Sequence, residues 1–369
     1  MARNQQQVRQ LPNPAFARIL LEWYDTLEIQ LPWRGTLDPY QIWLSEIMLQ
    51  QTRVAAVKEY YKNWLEKFPT VEKMAAASLD EVLKMWEGLG YYTRARNVHK
   101  LAKIIVAEHY GKFPTSAEAL QTLPGIGRYT AAAIASIAFD ERVAVLDGNV
   151  IRILSRLLDL PDEINQPKIQ AKLWGIAEPL LPKKRSGDFN QAMMDLGRTI
   201  CVPRTPNCIA CPVQKFCLAY KNNTTHLRPV KKAKAKIPNV YAAAAVIRDQ
   251  RQRILLVQRP PEKLLGGLWM LPQGKCEADE NFAECLAHSF QKDFGVKIIV
   301  GEEMAHATQT FTHFHLSLRA FACEIVKGKV KTNNNFAWVK ISELDQYSFG
   351  KADRAVIVAL ENWQPRLFG

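Results

Sequence analysis

No run of this 369-residue chain approaches the roughly 18 consecutive apolar residues that a membrane-spanning helix needs. The first residues, MARNQQQVRQLPNP, lack the apolar core of a secretory leader. No internal repeat is visible. Cysteine is held to seven residues. With neither leader nor span the chain reads as cytoplasmic, so its thiols are expected to be reduced or bound to metal. Acids are also in short supply, 36 against 49 Lys and Arg, for a formal net charge of +13. That balance favours a polyanion, nucleic acid above all, although a basic protein with no such partner has the same composition.

What is present is an ordinary globular composition, 48% hydrophobic and 23% charged, over a length that suggests two or three domains. From residue 14 to 200, apolar residues recur at helical spacing, starting with Phe16, Ile19, Leu20 and Trp23, and Gly or Pro punctuates the segments. This all-α region, with the cysteine-dense loop 201–217, is assigned to residues 1–221. Residues 222–238 form a basic linker with Arg228, Lys231, Lys232, Lys234 and Lys236 and no acid. Its charges are either simply solvated or set against phosphates. Residues 239–369 change period. Strands are expected at Val240–Arg248, Arg253–Arg259, Lys297–Gly301, His306–Thr310 and His315–Ile325, with helices near Asn281–Phe294 and Lys351–Trp363. The fold class is therefore multidomain, all-α and then α+β.

Four features carry chemistry. Leu123-Pro124-Gly125-Ile126-Gly127 reads as a tight hairpin before an alanine-rich helix, either a plain helix-loop-helix or a phosphate grip built from backbone N–H groups. Cys201, Cys208, Cys211 and Cys217 are spaced C-x6-C-x2-C-x5-C, which suits an iron–sulfur cluster or a structural zinc. Cys276, Cys285 and Cys323 are scattered and read as core residues. Glu46 has Ile42, Trp43 and Leu49 at helical spacing, so it falls on an apolar face where desolvation keeps a carboxyl protonated. A Glu paired with Arg34 or Arg53 is the plainer reading. Asp147, just before Gly148-Asn149 and a helix, is an N-cap or a carboxylate kept ionised by the helix N-terminus. One protonated and one ionised carboxyl is the arrangement that cleaves a glycosidic bond.

WLSEIMLQQTRV, GLGYYTRARN, LPGIGRYTA, LDGNV and the four-cysteine loop occur in an order that resembles the MutY family of the endonuclease III superfamily, over residues 30–220. The resemblance implies a helix-hairpin-helix glycosylase fold carrying a [4Fe–4S] cluster on the cysteine loop. It implies Glu46 as the acid that protonates adenine, Asp147 as the carboxylate facing the sugar cation, and Tyr129 and Asn149 as orienting groups. It also implies DNA contacts at Arg34, Gln51, Tyr91, Gly125, Gly127 and Arg204, with a monovalent cation at the hairpin. Strand-cutting relatives carry Lys where this chain has Tyr129, and a phenol forms no Schiff base. The implied protein acts in the cytoplasm, at the nucleoid, as a monomeric, monofunctional enzyme on duplex DNA holding adenine opposite 8-oxoguanine or guanine. Other glycosylases of the superfamily and a non-catalytic lesion binder remain the alternatives.

The second domain overlays the Nudix box at Gly274 and Glu280, but His288, Ser289, Lys292 and Asp293 stand where its Arg and acids belong. A Mg²⁺ site needs several hard carboxylate oxygens, and this helix supplies too few. The expectation is a Nudix-like fold without hydrolase chemistry. In the resembling family such a domain reads 8-oxoguanine, which points to Phe311, Thr312 and His313. Thr312 departs from the Ser of many relatives and keeps the hydroxyl.

Overall fold

The computed structural model describes residues 13–232, 236–330 and 335–361. Residues 1–12, Lys234 of the linker and Trp363 of the last expected helix lie outside them. The helical part comprises α1 (Asn13–Asp25), α2 (Pro39–Leu49), α3 (Val54–Lys67), α4 (Val71–Ala76), α5 (Leu79–Trp86), α6 (Thr93–His109), α7 (Ala117–Gln121), α8 (Arg128–Phe139), α9 (Gly148–Leu157), α10 (Pro167–Leu180), α11 (Ser186–Thr199) and α12 (Leu218–Lys221). Local signals set several starts. Asp38 caps α2 with Pro39 at its first position, and Ser78 with Glu81 forms a reciprocal capping box on α5.

Helices α2, α8 and α11 are buried along most of their length. A helix that is apolar on nearly every side belongs in a core, and α8 packs against both α2 and α11. Two glycines permit the close approach of α11. A Cβ on Gly187 would lie 2.5 Å from the Ser136 carbonyl oxygen, and one on Gly197 would lie 2.5 Å from Asn149 Cβ.

The α+β part has β1 (Asn239–Ile247), β2 (Ile254–Gln258), β3 (Trp269–Met270), β4 (Gln273–Cys276), α13 (Phe282–Phe294), β5 (Lys297–Thr310), β6 (His315–Lys327), β7 (Phe336–Val339) and α14 (Lys351–Glu361). One sheet runs β4-β1-β6-β5, with β1 and β6 parallel; the other runs β3-β2-β7. Strand β1 shows why its sequence is a nearly unbroken apolar run. Ala242, Ala244 and Val246 enter the core that holds α14, and Ala243, Ala245 and Ile247 enter the core that holds α13.

The chain forms two compact units, Met1–Ala76 with Lys100–Lys234, and Ala77–His99 with Ala235–Gly369. Helix α5 and the start of α6 thus belong with the sheets. Within that unit Arg354 pairs with Glu87, Tyr92 OH donates to the Phe349 carbonyl at 3.3 Å, and Arg96 Nη1 donates to the Gly266 carbonyl at 2.6 Å. Among the described residues no helix is long and apolar enough to cross a membrane.

Several expectations are corrected. The two strands expected at 297–301 and 306–310 are one strand, β5, whose pairing with β6 shifts register between Val300 and Ala305. Cys276 and Cys285 are not free core thiols but a disulfide joining β4 to α13. The [4Fe–4S] ligand set is not assembled. The four loop cysteines border one small pocket, yet no three of their sulfurs lie within 4.8 Å of one another. Among the described residues the one group of potential ligands that close is Cys276, Glu280 and Cys285, two of them already bonded. The physical reason lies in Arg156, whose Nη1 donates to Cys201 Sγ at 3.2 Å and to the Val202 carbonyl, while Cys217 Sγ donates to the Arg156 carbonyl. Burial pushes the Cys211 thiol up to about 12. No ligand group of this kind stands at the 125–127 hairpin either, so neither expected cofactor is carried forward.

Candidate active site

A cavity of about 470 Å³ opens in the helical unit, with Glu46, Tyr129, Asp147 and Asn149 among its lining residues. Glu46 comes from the buried face of α2 and is only 4% exposed. Tyr129 lies in the first turn of α8, where its hydroxyl donates to Glu46 Oε2 at 2.5 Å and lies 3.3 Å from Met194 Sδ. Burial pushes the Glu46 carboxyl above its ordinary range, and the nearby Asp147 and Asp195 push the same way. The Tyr129 hydrogen bond and the Arg34 charge oppose them. Burial and the Glu46 charge hold Tyr129 well above the usual phenol range, so it remains a donor.

Asp147 caps α9. Its Oδ1 accepts from the N–H of Asn149 at 3.0 Å and of Val150 at 2.8 Å, and its Oδ2 accepts from Asn149 Nδ2 at 2.8 Å. Burial raises its carboxyl above the ordinary range, and these bonds and the Arg152 charge offset that only in part, so the helix N-terminus does not hold it as far on the ionised side as expected. Asn149 is held in turn by Arg152, whose Nη2 reaches both Asn149 Oδ1 at 2.8 Å and the Gly197 carbonyl at 2.7 Å. The close approach at Gly197 thus bears directly on the Asn149 side chain.

Arg34 also lines the cavity. Its Nη1 donates to Gln191 Oε1 at 2.9 Å and its Nη2 to Asp195 Oδ2 at 3.0 Å. Asp195 is buried and bonds Arg198 as well. The sequence reading missed Asp195, Met194 and Arg152. An acid three residues before an Arg inside helix α11 was the available signal for Asp195, and for Arg152 its place three residues after Asn149.

The remaining candidates fall as follows. Gly125 has φ +83° and needs the glycine backbone, whereas Gly127 is extended at φ −86°. A Cβ on Gly127 would meet nothing within 4 Å. Gln51 and Tyr91 both adopt left-handed backbone, φ +58° and +50°, which costs a non-glycine residue energy. Arg204 is exposed in the cysteine loop. Phe311, Thr312 and His313 sit at the β5–β6 turn, where Phe311 stacks on Phe314 at 4.6 Å and Thr312 Oγ1 lies 3.1 Å from the Tyr91 hydroxyl. Gln51 borders the cavity, while Tyr91 belongs to the other unit.

Residues 44–179 match the HhH-GPD superfamily of base excision DNA repair proteins, and residues 243–359 match the NUDIX domain. The chain is 35% identical to the adenine DNA glycosylase of Mus musculus, aligning 86% of this chain with 72% of that one. With the adenine DNA glycosylase of Buchnera aphidicola subsp. Acyrthosiphon pisum the identity is 33%, over 96% and 99% of the two chains. The chain belongs to the adenine DNA glycosylases of base-excision repair. This glycosylase is also similar to the structure of a thermostable thymine-DNA glycosylase, with TM-score 0.52 and 30% identity, over 60% of this chain and all of that one. In its Nudix-like part, Gly274 stands where a Cβ would come 2.2 Å from Ser289 Oγ, so box glycine and replaced box position are packed on each other.

Proposed function

We propose that this glycosylase hydrolyses the N-glycosidic bond of adenine opposite 8-oxoguanine, and less well opposite guanine. The observation that carries this is the Tyr129–Glu46 hydrogen bond in a cavity that Asp147 also lines. Adenine is first turned out of the stack, at a cost of a few kcal/mol; Gln51 and Tyr91 fill the gap. Protonated Glu46 gives its proton to adenine N7, and the C1′–N9 bond breaks with its electron pair leaving on the base. The Asp147 carboxylate, supported by three donated hydrogen bonds, faces the positive sugar until water adds at C1′ and loses a proton. Asn149 and Arg152 orient Asp147. Glycines 125 and 127 with the start of α8 hold a DNA phosphate, and Arg204 a second one. Arg34, tied to Asp195 and Gln191, steadies the cavity wall and tunes Glu46.

Tyr129 supplies no amine, so the product is an abasic site and the strand stays intact until alkali is added. The enzyme acts as a monomer at the DNA of the cytoplasm. The test is incubation with duplexes holding adenine opposite 8-oxoguanine, guanine or thymine, and a thymine:guanine duplex, followed by alkali. Cleavage at adenine, fastest opposite 8-oxoguanine, is expected. Cleavage at thymine instead would favour the activity named for the thymine-DNA glycosylase that this chain resembles. A borohydride-trapped covalent adduct would overturn the monofunctional reading.

A further inference from the structure

The turn that presents Tyr91 is fastened from one side by the C-terminal helix. Arg354 of α14 makes a two-pronged ion pair with Glu87, Nε to Oε1 at 2.7 Å and Nη2 to Oε2 at 3.1 Å, with both side chains mostly buried. The same guanidinium reaches Asp345 at 3.1 Å and the Tyr347 carbonyl at 2.8 Å, and lies 4.7 Å over the Phe349 ring. Such a fork fixes orientation as well as distance. Glu87 ends α5, and the next residues run Gly88-Leu89-Gly90-Tyr91-Tyr92. Tyr92 OH accepts from the Gly88 N–H at 3.1 Å while donating to Phe349. Arg94 bonds the Leu89 and Gly90 carbonyls and lies 5.4 Å over the Tyr91 ring.

Tyr91 itself is 45% exposed, with a left-handed backbone and its hydroxyl at Thr312. A strained residue persists only where its surroundings over-determine it. Here the turn is held by the contacts of Glu87, Tyr92 and Arg94, and the Tyr91 ring is exposed rather than part of the core. We propose that the Arg354–Glu87 ion pair is a positioning device for lesion selectivity: it fixes the turn so that Tyr91 and Thr312 present one rigid surface to the base opposite adenine. This rests on the proposed 8-oxoguanine preference and on the expectation that the turn holding Thr312 reads that base, with the Tyr91 hydroxyl 3.1 Å from Thr312 Oγ1.

The test measures single-turnover adenine release from 8-oxoguanine:adenine and guanine:adenine duplexes with the full chain, folding being checked by thermal unfolding. Glu87→Gln is expected to lower the preference for 8-oxoguanine about ten-fold, within the usual range of coupling between sites. Arg354→Gln, from the other partner, is expected to do the same. Because the pair acts through Tyr91, adding Glu87→Gln to Tyr91→Ala should cost no further preference; a merely structural weakening would subtract equally in both backgrounds. Unaltered preference in both folded single variants overturns the proposal, and so does a multiplicative loss in the double variant. A parent protein that releases adenine with no preference between the two duplexes removes the underlying reading, and the ion pair's role with it.

Discussion

Tyr129 donates to Glu46 Oε2 across 2.5 Å, so the proton donor of the proposed reaction is tied to the position at which strand-cutting relatives carry Lys. One bond thus connects two properties, the acid's pH range and the absence of an amine nucleophile. The bond favours the ionised form of Glu46, as does the Arg34 charge, against a burial that favours the neutral form.

The pH profile follows from that balance. Adenine release needs protonated Glu46 and falls as pH rises through its raised pKa. Tyr129→Phe and Arg34→Gln each remove an influence that lowers this pKa, so each should move the alkaline limb to higher pH while reducing the maximal rate. Single-turnover rates across pH check this; a limb displaced to lower pH contradicts it.

Glu46→Gln should retain mispair binding and lose about 10² to 10⁴-fold in adenine release, the usual share of a general acid. It should also stabilise the fold. A buried acid with a raised pKa binds its proton more tightly when folded, so stability is lost as pH rises from the unfolded value through the folded one. The neutral amide escapes that loss. The melting temperature of Glu46→Gln is therefore expected to exceed the parent's at pH 8, with the gap closing toward pH 4. An equal gap at both pH values would show that the carboxyl carries no burial penalty.

Gly197→Ala places a Cβ 2.5 Å from Asn149 Cβ. Overpacking of this kind costs about 1–3 kcal/mol, and here the atom displaced belongs to the residue that supports Asp147. Both a lower melting temperature and a slower release step are expected, with DNA affinity little affected. A slower step with intact binding distinguishes this from general unfolding.

Thr312→Ala combined with His313→Ala should weaken discrimination of 8-oxoguanine:adenine over guanine:adenine and leave Tyr91 OH without its Thr312 neighbour. Discrimination measured on the two duplexes checks it. An unchanged ratio would take the β5–β6 turn out of the reader role.

Most helices, strands β1, β2 and β6 and the cavity's main carboxyls were legible because periodicity, caps and motif order agree there, whereas the register shifts in β5 made one strand read as two. Glu46 is a good example, since its apolar neighbours at helical spacing already imply desolvation. Short elements were not legible: α4, β3, β4 and β7 are too brief to show a period. Asp195 and Arg152 each have a partner three residues away, but the contacts that tie them to the cavity, to Arg34 and to the Gly197 carbonyl, are distant in sequence and left no local pattern to read. The cysteine loop misled in a different way. Spacing reports which residues are near along the chain, whereas in the fold Cys201 Sγ and Cys217 Sγ meet Arg156. Spacing was equally silent on Cys276 and Cys285, joined across β4 and α13.

Residues 77–99 belong with a sheet whose strands are encoded from residue 239 onward. During synthesis this segment leaves the ribosome long before its packing partners exist, so the helical unit must close around an interruption that still lacks support. Domains generally fold as units and N-terminal parts first; here the earlier unit carries a waiting piece of the later one. A chain released before α14 is complete would hold the cavity's carboxyls and yet leave the turn of Tyr91 without the Arg354 fork on Glu87.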